Sequence, residues 1–156
     1  MGCSYQIQPH YISTLNLELM MRAAITAVGG YVPPDVLSNA DLELMVDTTD
    51  EWIRTRTGVL ERRILRGEGL GSSDMAAEAA RTLLAKRGIG ADELDLVICG
   101  TVTPDMVFPA TANVLCDKIG AVNAWGFDLG AACSGFIYAL TVGSRFLTIP
   151  VHVSNY

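Results

Sequence analysis

Histidine is scarce in this 156-residue chain, which has only His10 and His152. Metal centres and general-base sites built on several imidazoles are therefore poorly supplied. The four cysteines, Cys3, Cys99, Cys116 and Cys133, form no C-x-x-C pair. A zinc site or a disulfide framework is a poor fit to that spacing, and no metal is expected. Reduced thiols in a cytoplasmic protein are the simpler reading. No uninterrupted apolar run approaches the ~18 residues a membrane helix needs, so no membrane partner is expected. Nor does a basic segment lead into an apolar stretch as a secretion signal would. The opening Met-Gly-Cys-Ser-Tyr-Gln has Gln6 where myristoylation wants Ser or Thr. Positive charge is also short, with 11 basic against 17 acidic residues and a net charge of −6. A nucleic-acid partner is set aside on that sign. Aromatics make up 7% of the chain.

What is present is aliphatic. Half the residues are hydrophobic and 18% are charged. The length suits one domain that buries roughly 70% of its unfolded surface. There is no internal repeat. Residues 1–20 show no clear period, and regular structure is expected from about Arg22. Ala23 to Val28 reads as a short buried strand, closed by Gly29-Gly30 and Pro33-Pro34. Ser38-Asn39 caps a short helix through Val46. Thr49 caps a second helix, Asp50 to about Thr57, with acids in its first turn and Gly58 as its stop. Leu60 to Arg66 is a basic strand or extended arm. Ser73 is expected to cap an alanine-rich helix that ends at Gly88. Leu94 to Val102 is a central strand. Pro109 introduces a helix from Ala110 to Ile119. Ala124 to Leu129 is a further strand, and Phe136 to Leu147 a final helix. Alternation of this kind indicates an α/β fold, with helices layered on a mostly parallel mixed sheet.

Chemistry concentrates at Asp128-Leu-Gly-Ala-Ala-Cys133-Ser-Gly-Phe. A strand runs into small residues, then a cysteine, then an apolar helix. Amides and the helix dipole at such a position favour a thiolate, and the same amides hold the oxygen of an attacked acyl carbonyl. That is the logic of a thiol that accepts an acyl group. Locally, a cysteine in such a turn more often only packs it, and that reading stays open. Cys99, within a strand, and Cys116, on an apolar helix face, read as structural. Gly67-Glu-Gly-Leu-Gly71 is glycine-rich, but Ser72 replaces the last glycine of a dinucleotide-binding fingerprint and no βαβ context surrounds it.

Thr48-Thr-Asp-Glu-Trp-Ile-Arg-Thr-Arg-Thr-Gly58 closely resembles the signature D-T-x-D-E-W-I-x-x-R-T-G of the β-ketoacyl-acyl-carrier-protein synthase III family. Asn39-Ala-Asp-Leu-Glu, Glu61-Arg62, Phe108-Pro109 and the cysteine turn fit the same family, in order, across about residues 22–147. Several motifs in register are more specific than any one of them. The resemblance implies a thiolase-like fold of two related α/β halves, with the first half present here and incomplete. It implies initiation of fatty-acid synthesis, in which an acyl group, often acetyl, passes from acyl-CoA to a cysteine. Condensation with malonyl-acyl-carrier protein and loss of carbon dioxide follow. The cysteine maps to Cys133. Trp52 matches the tryptophan that stacks on the CoA adenine, and Thr48 and Arg56 match residues at the CoA entrance. Phe108 matches a phenylalanine that reaches across a homodimer into the partner's acyl pocket. No permanently bound cofactor is implied; acyl-CoA is a substrate.

Each residue also has a plain alternative: Trp52 as core, Arg56 as a cation at a helix end, Phe108 as a buried anchor. Arg62, Arg63 and Arg66 read as a solvated charged strand rather than a carrier-protein contact. The family completes its site with a histidine and an asparagine from the second half; His10 and His152 lie outside the matching region. Residues 1–21 are expected to be an extension, with Met20 or Met21 as a natural start. Residues 148–156 are expected to be an off-family tail, so that the chain is an incomplete copy. Competing readings are a catalytically silent fragment that associates with an intact subunit, and a related chain-elongating or polyketide synthase.

Overall fold

The computed structural model describes residues 23–148. The expectations for residues 1–22 and 149–156, including Cys3, His10 and His152, lie outside them. The fold is built from two strand pairs and five helices. Strand β1 (Asp35–Ser38) leads into helix α1 (Asn39–Glu43), then α2 (Asp50–Thr57) and β2 (Glu61–Ile64). Next come α3 (Ser72–Arg87), β3 (Leu96–Cys99), α4 (Thr111–Ile119), β4 (Trp125–Asp128) and α5 (Gly135–Thr148).

β1 and β2 form an antiparallel ribbon from Asp35↔Ile64 to Ser38↔Glu61. β1 carries no strand signal in sequence; its pairing with β2 makes it one. The side chain of Asn39, 2% exposed, ties this region together. Its Nδ2 donates to Asp50 Oδ1 at 2.7 Å and to the Val59 carbonyl at 2.9 Å, while its Oδ1 accepts from Arg62 Nη1. Burial of this amide is tolerable because each end is satisfied. α2 begins as its sequence indicates, with Trp52 N–H donating to Thr49 Oγ1 at 3.1 Å and Gly58 closing it in the left-handed region. α1 stops at Glu43, short of the expected Val46. Leu44, Met45 and Val46 are exposed, so nothing packed beneath them rewards another turn.

The main core lies between α3, α4 and the parallel pair β3–β4, whose register runs from Leu96↔Trp125 to Cys99↔Asp128. β3, α4 and β4 make one strand–helix–strand unit. α3 packs on α4, and Ala77 and Leu84 of α3 and Ala112, Leu115 and Cys116 of α4 are all buried. Each large side chain buried this way is worth roughly 1.5–3 kcal/mol.

Two expectations change here. Ser73 is not the cap of α3: it lies inside the helix, fully buried, and Gly71 stands at the N-cap. Asp105 substitutes for a local cap, accepting the Ser73 N–H at 3.0 Å from 32 residues away. Ser73 Oγ instead accepts from Lys118 Nζ at 2.7 Å, and Lys118 also pairs with Asp74. Ala23 to Val28 forms no ladder among the described residues. It passes close to α3, where Lys86 Nζ donates to the Val28 carbonyl at 3.1 Å. An extended segment becomes a strand only when a neighbour's peptide groups meet its own.

α5 lies on β3, and Phe146 on its inner side meets Trp125 edge-on at a centroid distance of 5.2 Å. No helix among the described residues is long and apolar enough to cross a membrane.

Candidate active site

β4 ends at Asp128, and the chain turns through Leu129-Gly130-Ala131 into a single 3-10 turn, Ala132–Ser134, before α5 begins at Gly135. Ser134 N–H donates to the Ala131 carbonyl at 2.9 Å and closes that turn. Ala132 has φ +44°, the left-handed region that an L-residue enters at a cost of about 1 kcal/mol or more. The strain sits one residue before Cys133. Cys133 is exposed, its thiol unpaired, two residues ahead of α5. The sequence leaves packing and reactivity as rival roles; among the described residues nothing packs over the thiol. Cys99 and Cys116 behave as the structural reading expects. Burial, aided by the Asp128 and Asp105 carboxylates, pushes the Cys99 thiol up to about 11. Burial also raises Cys116. Neither is a thiolate at neutral pH.

The small residues of the turn have a definite use. A Cβ on Gly100, at the end of β3, would fall 3.0 Å from the Gly135 carbonyl carbon. Strand and helix backbones therefore touch, and the touch fixes where α5 starts. Leu129 N–H donates to the Cys99 carbonyl at 2.8 Å, extending the strand pairing as the turn begins.

Trp52 and Arg56 sit one helical turn apart on α2. The Arg56 guanidinium carbon lies 4.6 Å from the indole centroid, a cation–π contact. Trp52 is 52% exposed and lies outside the core of the described residues. Indole and guanidinium together offer a flat face with positive charge beside it, suited to a base and a phosphate. Thr48, half-buried, precedes the α2 cap. These three residues are brought together on and beside α2. α2 packs on α1, while Cys133 lies in the turn between β4 and α5, so the two groups stand on different elements.

Phe108 is 85% exposed and Val107 fully so, and neither is buried among the described residues. They stand at the tip of the segment between β3 and α4. Its base is pinned by Ser72 Oγ donating to the Thr103 carbonyl at 2.7 Å and by Asp105 on the α3 amide. Of the basic residues, Arg62 is used by Asn39 and Arg63 pairs with Glu61, in keeping with a charged strand.

Asp128 escapes the sequence reading. Its carboxylate accepts the Thr111 N–H at Oδ2 and the Ala112 N–H at Oδ1, both at 2.8 Å. Ala110, at the N-cap of α4, offers no side-chain oxygen, and that lack was the available signal.

No family model matches the chain. Individual relatives do. It is 60% identical over 132 residues to the β-ketoacyl-[acyl-carrier-protein] synthase III of Chlorobium phaeovibrioides, covering 85% of this chain and 40% of that protein. The Koribacter versatilis protein of the same name is 56% identical over 81% of this chain and 38% of its own length. Among solved structures, the 3-oxoacyl-[acyl-carrier-protein] synthase III of Aquifex aeolicus aligns with a TM-score of 0.73 at 47% identity, over 77% of this chain and 38% of that one. The chain spans about two fifths of the length of the curated relatives it matches. Sequence and coordinates agree: the matched residues are homologous to the N-terminal part of β-ketoacyl-[acyl-carrier-protein] synthase III proteins and fold as part of their thiolase-like α/β architecture.

Proposed function

We propose that this chain carries the acyl-accepting portion of a synthase that initiates fatty-acid synthesis, with Cys133 as nucleophile. The observation that supports it is the exposed Cys133 thiol on a strained turn where a strand meets a helix. The thiolate attacks the carbonyl carbon of an acyl-CoA, acetyl-CoA being the first choice. Negative charge collects on the carbonyl oxygen, where backbone N–H groups of the turn can hold it. The carbon–sulfur bond to CoA then breaks, CoA leaves as the thiol, and the acyl group stays on Cys133. Trp52 stacks on the adenine, and Arg56, with Thr48 beside it, meets the phosphates at the entrance. Phe108 reaches into the acyl pocket of a second copy in a homodimer. In the reducing cytoplasm the acyl-cysteine reacts with malonyl-acyl-carrier protein. The malonyl group loses carbon dioxide to give an enolate whose carbon attacks the acyl carbon; the bond from the acyl carbon to Cys133 Sγ then breaks, releasing the free thiolate and 3-ketoacyl-acyl-carrier protein. That second step draws on a histidine and an asparagine of the kind the family resemblance implies; no histidine lies among the described residues.

The test is incubation with acetyl-CoA followed by peptide mass spectrometry. An acetyl adduct on the Cys133 peptide, absent in Cys133→Ser and weakened in Trp52→Ala, supports the reading. An adduct on Cys116 or Cys99 instead, or none at all, overturns it.

A second reading is favoured by the uncovered apolar residues of α5, among them Phe136 at 70% exposure. In it the chain is catalytically silent and associates with an intact synthase subunit. Co-elution with such a subunit, without an adduct on Cys133, would select it.

A further inference from the structure

The cysteine turn and the Phe108 arm lie on opposite sides of α4 in the chain, yet one side chain joins the strand that leads into the turn to the helix that follows the arm. Asp128 is the last residue of β4, five residues before Cys133. Its two oxygens each accept one amide of the first turn of α4, Thr111 and Ala112, at 2.8 Å. Those amides follow Phe108-Pro109-Ala110 directly. Thr111 and Ala112 are fully buried, so no water can replace the carboxylate there. The Thr111 hydroxyl has no partner of its own, so it offers no second anchor. Gly126, two residues before Asp128, lies so close to α4 that an added Cβ would stand 3.0 Å from the Ala112 Cβ. The strand end and the helix start therefore have little slack between them.

We propose that Asp128 is a positioning residue that sets the Cys133 turn and the Phe108 arm relative to each other. Under the function proposed above, on which this rests, Cys133 accepts the acyl group in one copy's site while Phe108 enters the site of the other, so their relative placement couples the two copies. The carboxylate acts by geometry: two short charge-assisted bonds at fixed angles orient the strand end against the helix axis. A neutral amide at the same position has one acceptor oxygen for two donors, so it retains part of the constraint. A methyl group retains none.

The experiment uses the full chain as wild type, Asp128→Asn and Asp128→Ala. Amide hydrogen exchange is read at Thr111 and Ala112, which the carboxylate holds directly, and at Ser134 and Gly135, which it does not touch. Iodoacetamide alkylation of buried Cys116 reports global opening in the same samples. Positioning predicts exchange faster by about tenfold in Asp128→Ala at both pairs of amides, a smaller rise in Asp128→Asn, and Cys116 protection retained in Asp128→Asn. The proposal is overturned if Ser134 and Gly135 keep wild-type exchange while Thr111 and Ala112 accelerate, because the carboxylate would then be a helix cap alone. It is equally overturned if Cys116 opens in step with the amides in both variants, because Asp128 would then hold the whole fold. Neither outcome depends on acyl transfer. Loss of the acetyl adduct in the wild type counts against the proposed function and leaves this measurement intact.

Discussion

α4 and α5 are both amphipathic, and they end in opposite situations. α4, nine residues long, sinks Thr111, Ala112, Leu115 and Cys116 between α3 and the parallel strands. α5, fourteen residues long and richer in large apolar groups, leaves Phe136, Ile137, Tyr138 and Leu147 more than half exposed. A helix apolar on most of its surface is built to be covered on most of its surface. Apolarity alone thus does not bury a helix; available partners do, and among the described residues α4 finds them on both sides while α5 meets β3, the cysteine turn, Trp125 and Phe127.

The largest effect expected from this contrast is in the core. Leu115→Ala should lower unfolding stability by about 2–5 kcal/mol, the usual cost of a cavity at a buried leucine. Leu140→Ala, at a 43% exposed position on α5, should cost under about 1 kcal/mol. Urea titration measures both, and equal losses would mean that α5 is covered in solution. Glycines sharpen the comparison next. A Cβ on Gly126 would stand 2.9 Å from the Val97 carbonyl oxygen, so Gly126→Ala should cost about 1–3 kcal/mol. Gly130, in the cysteine turn, has only the Thr101 carbonyl at 3.9 Å, and Gly130→Ala should cost under about 0.5 kcal/mol by the same titration. A reversed order would show the turn to be the tighter region.

Loss of a distant cap ranks third. Asp105→Ala removes the acceptor for the Ser73 amide and should lower stability by about 1 kcal/mol, seen as a drop in melting temperature. No change would mean that water serves that helix end equally well. The smallest effect is in acid. Lys118, with the Gly71 amide, holds Asp74 below its ordinary 3.8. Asn39 does the same for Asp50, and Ser38 for Asp41. Near those values the unfolded chain binds more protons than the folded one, so stability falls as pH falls. Melting temperature should therefore be unaffected by these groups above the unfolded value near 3.8, and should decline as pH drops through the lower folded values. Asp74→Asn should flatten part of that decline. A decline that begins at pH 6 would assign acid sensitivity to other groups.

Much of this was legible in the residues. Thr49, Asp50, Glu51 and Gly58 specify α2 locally, because caps and stops act within one turn of where they stand. Gly88 likewise ends α3 where the sequence puts it. Trp52 and Arg56 are one turn apart, so their contact follows from helical spacing. The strand–turn–helix path around Cys133 was legible from the run of small residues. β1 was not, because its strand character is conferred by β2 across more than twenty residues of chain. The α3 cap was not, because Asp105 reaches the helix from a loop that sequence spacing cannot place.

By itself, then, the sequence determined α2, the end of α3 and the strand–turn–helix path around Cys133, and set Trp52 and Arg56 one helical turn apart. These depend on neighbours within a few residues. Only the tertiary structure decided that Phe108 projects, that Cys133 is exposed while Cys116 is sealed, and that Asp128 serves a helix whose own cap position is an alanine. Burial and long-range capping depend on which surfaces meet, and that is a property of the packed chain.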